Sequence, residues 1–174
     1  TYAQLMDPQF PAAPAQVSDC STSSPLVAPD GDVYFGVLGA IGIPGVLQRQ
    51  KGWLLHFDGS TWQSIATDTK QSLLDIWGSG PQDIYAVGSG GLVLHFDGKT
   101  WTQAVLPVDV PLSDVYATSK TLAWACGKNG VILRWDGSTW KQSPSGTKKG
   151  LGALYAPPGG RPMVATNETL LRLK

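Results

Sequence analysis

An all-β repeat fold is predicted for this chain by three observations. The segment His56-Phe57-Asp58-Gly59-Ser60-Thr61-Trp62 returns as His95-Phe96-Asp97-Gly98-Lys99-Thr100-Trp101 and again as Arg134-Trp135-Asp136-Gly137-Ser138-Thr139-Trp140, at a constant step of 39 (95 − 56; 134 − 95). Turn formers and large aromatics are plentiful, with 21 Gly, 13 Pro and 7 Trp in 174 residues, while Glu168 is the sole glutamate. Apolar and aromatic residues fall in runs of about five, the usual strand length, between breaks rich in Gly, Pro and Asp. A step near 40 with several short strands per step marks a repeat architecture of small sheets set around an axis.

The repeat places each element. Its cleanest unit spans 72–104, with strands at 73–77, 83–87, 92–96 and 100–104 and turns at 78–81 and 88–91. The next unit, 111–142, keeps the register: Asp114, Tyr116, Trp124, Gly127 and Gly130 stand 39 positions after Asp75, Trp77, Tyr85, Gly88 and Gly91. An earlier unit, 24–65, has strands at 25–28, 32–37, 53–57 and 61–65. There Tyr34 matches Tyr85 at a spacing of 51, so 12 extra residues (51 − 39) fall into a long loop at 38–51. The last unit, 150–173, carries three strands and lacks a fourth. Residues 1–5 resemble the outer strand of a unit, and 6–23, rich in Pro, Ala and Ser, reads as a linker. Pairing 1–5 beside 170–173 would complete four four-stranded blades, a β-propeller closed by its N-terminal strand, and would remove an exposed edge. The alternative is a fragment of a larger ring, which has the same local strands.

Composition excludes several classes of function. Lys+Arg and Asp+Glu balance at 13 each, so no field of one sign steers the chain to nucleic acid. No apolar run approaches the roughly 20 residues that span a bilayer, so membrane insertion is not expected. The chain starts at Thr1 without a signal segment, as a processed protein or a piece of a longer one would. Cys126 occupies the slot that Val87 fills one repeat earlier and reads as a small buried residue. A bridge to Cys20 is the other reading. The oligomeric state is not legible.

The recurring polar residues have structural explanations. Asp58-Gly59, Asp97-Gly98 and Asp136-Gly137 suit tight hairpin turns, in which Asp accepts backbone hydrogen bonds and Gly takes positive φ. His56 and His95 share their slot with Arg134, which cannot ligate a metal, so no metal site is assigned. Asp75 and Asp114 fall on the first strand of their units, which in a propeller lines the central channel. Their counterparts are Ser24 and Ala153, so a ring of acids is absent. Hydrogen bonding to nearby backbone is their expected role, a channel-bound cation being the less favoured one, and no cofactor is assigned. Gly88-Ser89-Gly90-Gly91 joins two strands, opens no helix and lacks a phosphate-binding Lys. No nucleophile–His–acid set emerges. The loop at 38–51 and the linker at 6–23 would share one face, and Ile41, Ile43, Val46 and Leu47 make the loop the expected contact site for a partner.

Ile76-Trp77-Gly78-Ser79-Gly80-Pro81 with Asp83-Ile84-Tyr85-Ala86-Val87-Gly88, followed by Leu94-His95-Phe96-Asp97-Gly98 and Trp101, resembles a repeat of secreted and cell-surface proteins of myxobacteria and their relatives. Residues 25–34 also resemble quinoprotein-type propeller repeats, and the Asp-Gly-x-Thr-Trp segments resemble the Asp-box of sialidase-like propellers. They are one residue shorter than that motif and lack its leading Ser, so no sialidase chemistry is carried over. The resemblance implies a propeller in an extracytoplasmic setting without an assigned activity. The sequence therefore reads as a non-catalytic binding or scaffolding module of a secreted or surface bacterial protein, with a protein or glycan partner. The alternative is a glycosidase- or lyase-type domain using Asp75 and Asp114 at the channel mouth.

Overall fold

The structure, a computed structural model, describes residues 26–27, 31–36, 42–43, 46–47, 53–157 and 161–173. Among these residues the chain forms four antiparallel sheets and one short hairpin, with no α-helix. Sheet 1 joins β1 (Leu26–Val27), β2 (Val33–Gly36), β5 (Trp53–Phe57) and β6 (Trp62–Ala66), and the hairpin pairs β3 (Gly42–Ile43) with β4 (Val46–Leu47). Sheet 2 runs β7 (Leu73–Gly80), β8 (Asp83–Gly88), β9 (Val93–Phe96) and β10 (Trp101–Gln103). Sheet 3 runs β11 (Leu112–Ser119), β12 (Leu122–Gly127), β13 (Ile132–Trp135) and β14 (Trp140–Ser143). The fourth, three-stranded sheet holds β15 (Ala153–Tyr155), β16 (Met163–Ala165) and β17 (Leu170–Arg172).

The register repeats with the sequence. Tyr34 pairs His56 in sheet 1, Tyr85 pairs His95 in sheet 2, and Trp124 pairs Arg134 in sheet 3. The hairpin closing each of sheets 2 and 3 sets Phe96 opposite Trp101 and Trp135 opposite Trp140.

Successive strand residues point to opposite faces, and here each face meets a different core. From the fully buried β8, Ile84 and Ala86 enter the core shared with sheet 1, while Tyr85 and Val87 enter the core shared with sheet 3. From β12, Ala123 and Ala125 enter that second core, while Cys126 enters a third, shared with sheet 4, against which Trp124 packs. Each gap between neighbouring sheets thus holds its own core. Burying each Leu, Ile or Val contributes about 1.5–3 kcal/mol, so a central strand is held from both sides. The first strands β1, β7, β11 and β15 pack in series along one side of the stack.

One glycine in each of sheets 2 and 3 permits close approach. A Cβ on Gly88 would lie 2.0 Å from the Ser72 carbonyl oxygen, and one on Gly127 would lie 2.1 Å from that of Pro111. The turn after each is a single 3₁₀ turn, over Ser89–Gly91 and Lys128–Gly130. Gly90 occupies the left-handed region there at φ 63°, and Asn129, a side chain that tolerates it, matches it at φ 60°.

Two differences from the sequence reading stand out. The turn expected at 78–81 begins later, because β7 runs on to Gly80 and pairs Gly78 with Ile84 and Gly80 with Asp83 across a register shift. Gly78 is small for packing: its missing Cβ would meet the Asp83 carbonyl at 3.0 Å and Leu26 and Ile84 carbons at 3.2 Å. The expected loop at 38–51 contains the β3–β4 pair, joined in sequence by the turn-forming dipeptide Pro44-Gly45. The closing strand at 1–5, the linker at 6–23 and Cys20 lie outside the described residues, while Cys126 is a free, buried thiol.

Candidate functional site

Three groups of side chains carry chemistry: the acids on the first strands, a histidine stack on the central strands, and a cleft between sheets 2 and 3.

Asp75 on β7 accepts the Val115 backbone N–H at 3.0 Å, and Asp114 on β11 accepts that of Leu154. Each carboxylate therefore ties its sheet to the first strand of the next. The two carboxyls also face each other. Burial, the hydrogen bond between them and the Asp114 charge raise the Asp75 pKa from 3.8 to about 8, so at neutral pH the pair holds a proton that relieves like-charge repulsion. Burial, with both carboxylates nearby, pushes the Cys126 thiol up as well, which makes it inert as a nucleophile. Beside the acids, Trp77 stacks on Tyr116 at 4.8 Å between ring centroids, Tyr116 meets Tyr155 edge-on at 5.3 Å, and the Trp77 indole N–H donates to the Ala117 carbonyl at 3.1 Å.

His95 Nε2 lies 2.8 Å from Asp83 Oδ1, and the His95 ring stacks on Tyr85 at 4.3 Å. His56 repeats this in sheet 1, 2.6 Å from Asp32 Oδ2 and 4.4 Å from the Tyr34 ring. The Ser79 hydroxyl donates to the other oxygen of Asp83. Against the cost of burial, His95 and Ser79 hold the Asp83 carboxyl below its usual range. The acid stands between the serine and the imidazole, so the Ser79 hydroxyl faces a carboxylate and not His95, and this is not the order of a nucleophile–His–acid triad. In sheet 3 Leu122 replaces the acid, and the Arg134 guanidinium sits 5.6 Å from the Trp124 ring centroid. Among the described residues no cluster of three or more His, Cys, Asp or Glu could hold a metal ion.

The hairpin aspartates are occupied by their turns. Asp58 Oδ1 accepts the N–H groups of Ser60 and Thr61, Asp97 Oδ1 those of Lys99 and Thr100, and Asp136 Oδ1 those of Ser138 and Thr139. Those hydrogen bonds, joined for Asp136 by Lys141 as the largest cause, lower all three pKa values.

Sheets 2 and 3 share a core, and beside it the space between them stays partly unfilled. A cleft of about 590 Å3 opens there. Sheet 2 contributes His95, Thr102 and Ala104, and the linker after β10 contributes Val105, Leu106 and Pro107. The far wall is Trp135, Ser138, Thr139 and Trp140 from the sheet 3 hairpin, with Tyr85 at the floor. Trp135 and Trp140 lie 5.7 Å apart at 41°, and Trp140 meets Tyr85 edge-on. The buried Tyr85 hydroxyl makes no good hydrogen bond among the described residues. Burial, and then the nearby Asp83 carboxylate, push its pKa well above the usual value. Val105 is 95% exposed at the mouth.

Of the residues singled out in sequence, the structure brings Asp75 and Asp114 together. Ile41 lies outside the described residues, as do the side chains of Ile43, Val46 and Leu47. The cleft was missed because it belongs to no single repeat. One signal for it existed: the linker Val105-Leu106-Pro107 is apolar throughout, whereas its equivalents 39 positions away, Ala66-Thr67-Asp68 and Pro144-Ser145-Gly146, each carry polar residues.

No protein-family model and no curated protein matches the chain. Solved structures do. YCF48 from Cyanidioschyzon merolae aligns with a TM-score of 0.66 at 17% identity, over 88% of this chain and 50% of that one. YCF48 bound to D1 peptide aligns at 0.58 and 16%, over 85% and 47%. The extracellular domain of the putative one component system BT4673 from B. thetaiotaomicron aligns at 0.63 and 11%, over 89% and 20%. At these identities the likeness is one of fold: the chain is all-β and propeller-like. It spans half or less of the length of the solved proteins it matches. No helix among the described residues is long and apolar enough to cross a membrane.

Proposed function

We propose that the chain is a non-catalytic binding or scaffolding module of a secreted or cell-surface bacterial protein, and that its contact site is the cleft between sheets 2 and 3. The observation that carries this reading is the cleft itself, an aromatic-walled opening of about 590 Å3 with a fully exposed valine at its mouth. Sites of roughly 300–1,000 Å3 lined by aromatic groups with a few polar ones are the usual form of a small ligand site. His95 and Tyr85, the titratable groups of the cleft, are stacked on each other, and the acids are engaged in turns and links between sheets, which supports binding over catalysis. That one similar structure holds a D1 peptide and another is an extracellular domain supports a binding role outside the cytoplasm. Val105→Asp tests the site, since a side chain 95% exposed can change without disturbing the core. Partner capture by the wild type, lost in a folded V105D variant, is the expected result. Equal capture by both would remove the cleft from the reading.

The ring is part of the proposal. Four blades closed by residues 1–5 is one form. An arc of a larger ring is the other, and coverage of only half of YCF48 favours it. Deleting residues 1–5 separates them: a large fall in thermal stability supports closure by that strand, and an unchanged midpoint supports the arc.

A further inference from the structure

We infer that the cleft between sheets 2 and 3 is a glycan site, taking a neutral oligosaccharide whose hydroxyls donate hydrogen bonds to its rim. This rests on the reading of the cleft as the contact site and names the ligand class.

Charge is the first argument. No Lys, Arg, Asp or Glu lines the cleft. Its two titratable rings are His95, whose Nε2 is held by Asp83, and Tyr85, whose phenol burial keeps neutral. A charged ligand would lose hydration on entering and gain no counter-charge. A neutral one meets no such cost.

Hydrogen-bond direction is the second. The rim hydroxyls spend their protons inside the protein. Ser138 Oγ donates to Asp136 at 2.8 Å, and Thr139 Oγ1 and Thr102 Oγ1 make longer contacts, 3.5 Å to the same carboxylate and 3.4 Å to the His95 carbonyl. The Trp135 indole N–H is committed to the Lys120 carbonyl at 3.1 Å. What remains at the rim is hydroxyl oxygen, an acceptor. An extended peptide brings a carbonyl at every residue that needs a donor, and the side-chain donors of Ser138, Thr139, Thr102 and Trp135 are already engaged. A sugar brings an O–H on most of its carbons and can donate to each acceptor.

Wall shape is the third. Trp135 stands at 41° to Trp140 and at 52° to His95. These rings form an angled wall and not a parallel slot, so a flat aromatic group cannot be sandwiched between them. A puckered sugar ring, with C–H groups on its faces, can lie against one indole while its edge reaches the hydroxyls.

The test titrates the whole chain with neutral gluco-, manno-, galacto-, xylo- and N-acetylglucosamine oligosaccharides of two to four units, followed by tryptophan fluorescence and ligand-observed NMR. Oligogalacturonates of matched length provide the charged arm, and a library of uncharged peptides the third. The expected result is saturable binding of at least one neutral oligosaccharide, weakened tenfold or more in Val105→Asp and in Trp135→Ala. Charged oligomers should bind at least tenfold more weakly. Trp135→Ala is read only where its circular dichroism matches the wild type, and Val105→Asp stands alone otherwise. Peptide binding that V105D abolishes, with no oligosaccharide bound, overturns the glycan inference and leaves the cleft as a contact site. Binding of a neutral oligosaccharide that V105D leaves untouched overturns the placement in this cleft. Absence of binding by every arm overturns both readings.

Discussion

Sheets 2 and 3 share a backbone and differ in chemistry. Both put an aromatic ring on the central strand opposite a nitrogen-rich side chain on the third. In sheet 2 the pair is Tyr85 and His95, fixed by the buried Asp83; in sheet 3 it is Trp124 and Arg134, with Leu122 at the acid position. What the repeat preserves is a flat nitrogen group lying against an aromatic face. The acid is needed only where the nitrogen group is an imidazole, whose ring N–H must find a partner when half buried. A guanidinium reaches solvent and does without one, and Arg134 is exposed.

The sharpest test concerns what the two sheets hold in common. Gly88→Ala and Gly127→Ala each drive a Cβ to within about 2 Å of a carbonyl oxygen. Each should cost about 3 kcal/mol, the upper end of overpacking, measured by urea denaturation. A cost in one sheet and none in the other would break the equivalence. Next comes the acid. Asp83→Leu alone strips His95 and Ser79 of their partner and should cost about 2–3 kcal/mol. Carrying Tyr85→Trp and His95→Arg along with it imports the whole sheet 3 set. If stacking is what the repeat preserves, the triple variant recovers at least about 1 kcal/mol over the single one, a coupling that a double-mutant cycle would expose.

A third test uses the link between the two sheets. The Asp75 pKa is raised in the folded state to about 8, against roughly 3.9 unfolded. The native protein then holds a proton that the unfolded chain gives up. Stability from this group is whole below about pH 4, declines as pH climbs to 8, and is level above it. The slope is at most about 1.4 kcal/mol per pH unit. Asp75→Asn keeps an acceptor for the Val115 N–H without ionising, so its melting temperature should fall less between pH 5.5 and 8.5 than that of the wild type. The smallest effect is expected for Arg134→Ala, about 0.5–1 kcal/mol for an exposed cation–π contact, which differential scanning fluorimetry with replicate scans can resolve.

Strand placement was legible because the repeat is written in residues that act locally: Asp-Gly for the hairpins, alternating apolar residues for the strands. Gly78 misled for a physical reason. A glycine inside Gly-Ser-Gly-Pro looks like punctuation, yet it marks a place where Leu26 of another sheet comes close, and such contacts between sheets leave no local pattern. The pairing of Asp75 with Asp114 was half legible, since period and strand put both on first strands, but not that each carboxylate reaches the next sheet's backbone. The cleft was least legible, because Val105, Trp135 and Tyr85 come from three parts of the sequence that meet only across a gap. Their period assigns them to different units, and only the departure of one linker from its neighbours hinted at it.

The carboxylate links have an orientation. Asp75 reaches forward to the amide of Val115 and Asp114 forward to that of Leu154, 40 positions ahead in both cases (115 − 75; 154 − 114). Sheets 2 and 3 thus each carry a plug on the leading side, and sheets 3 and 4 the matching socket on the trailing one. Excising one whole period would leave the remaining plug facing a matching socket, whereas a cut of any other size would misalign it. Genes built of such modules can lengthen or shorten by whole copies without redesigning the joint.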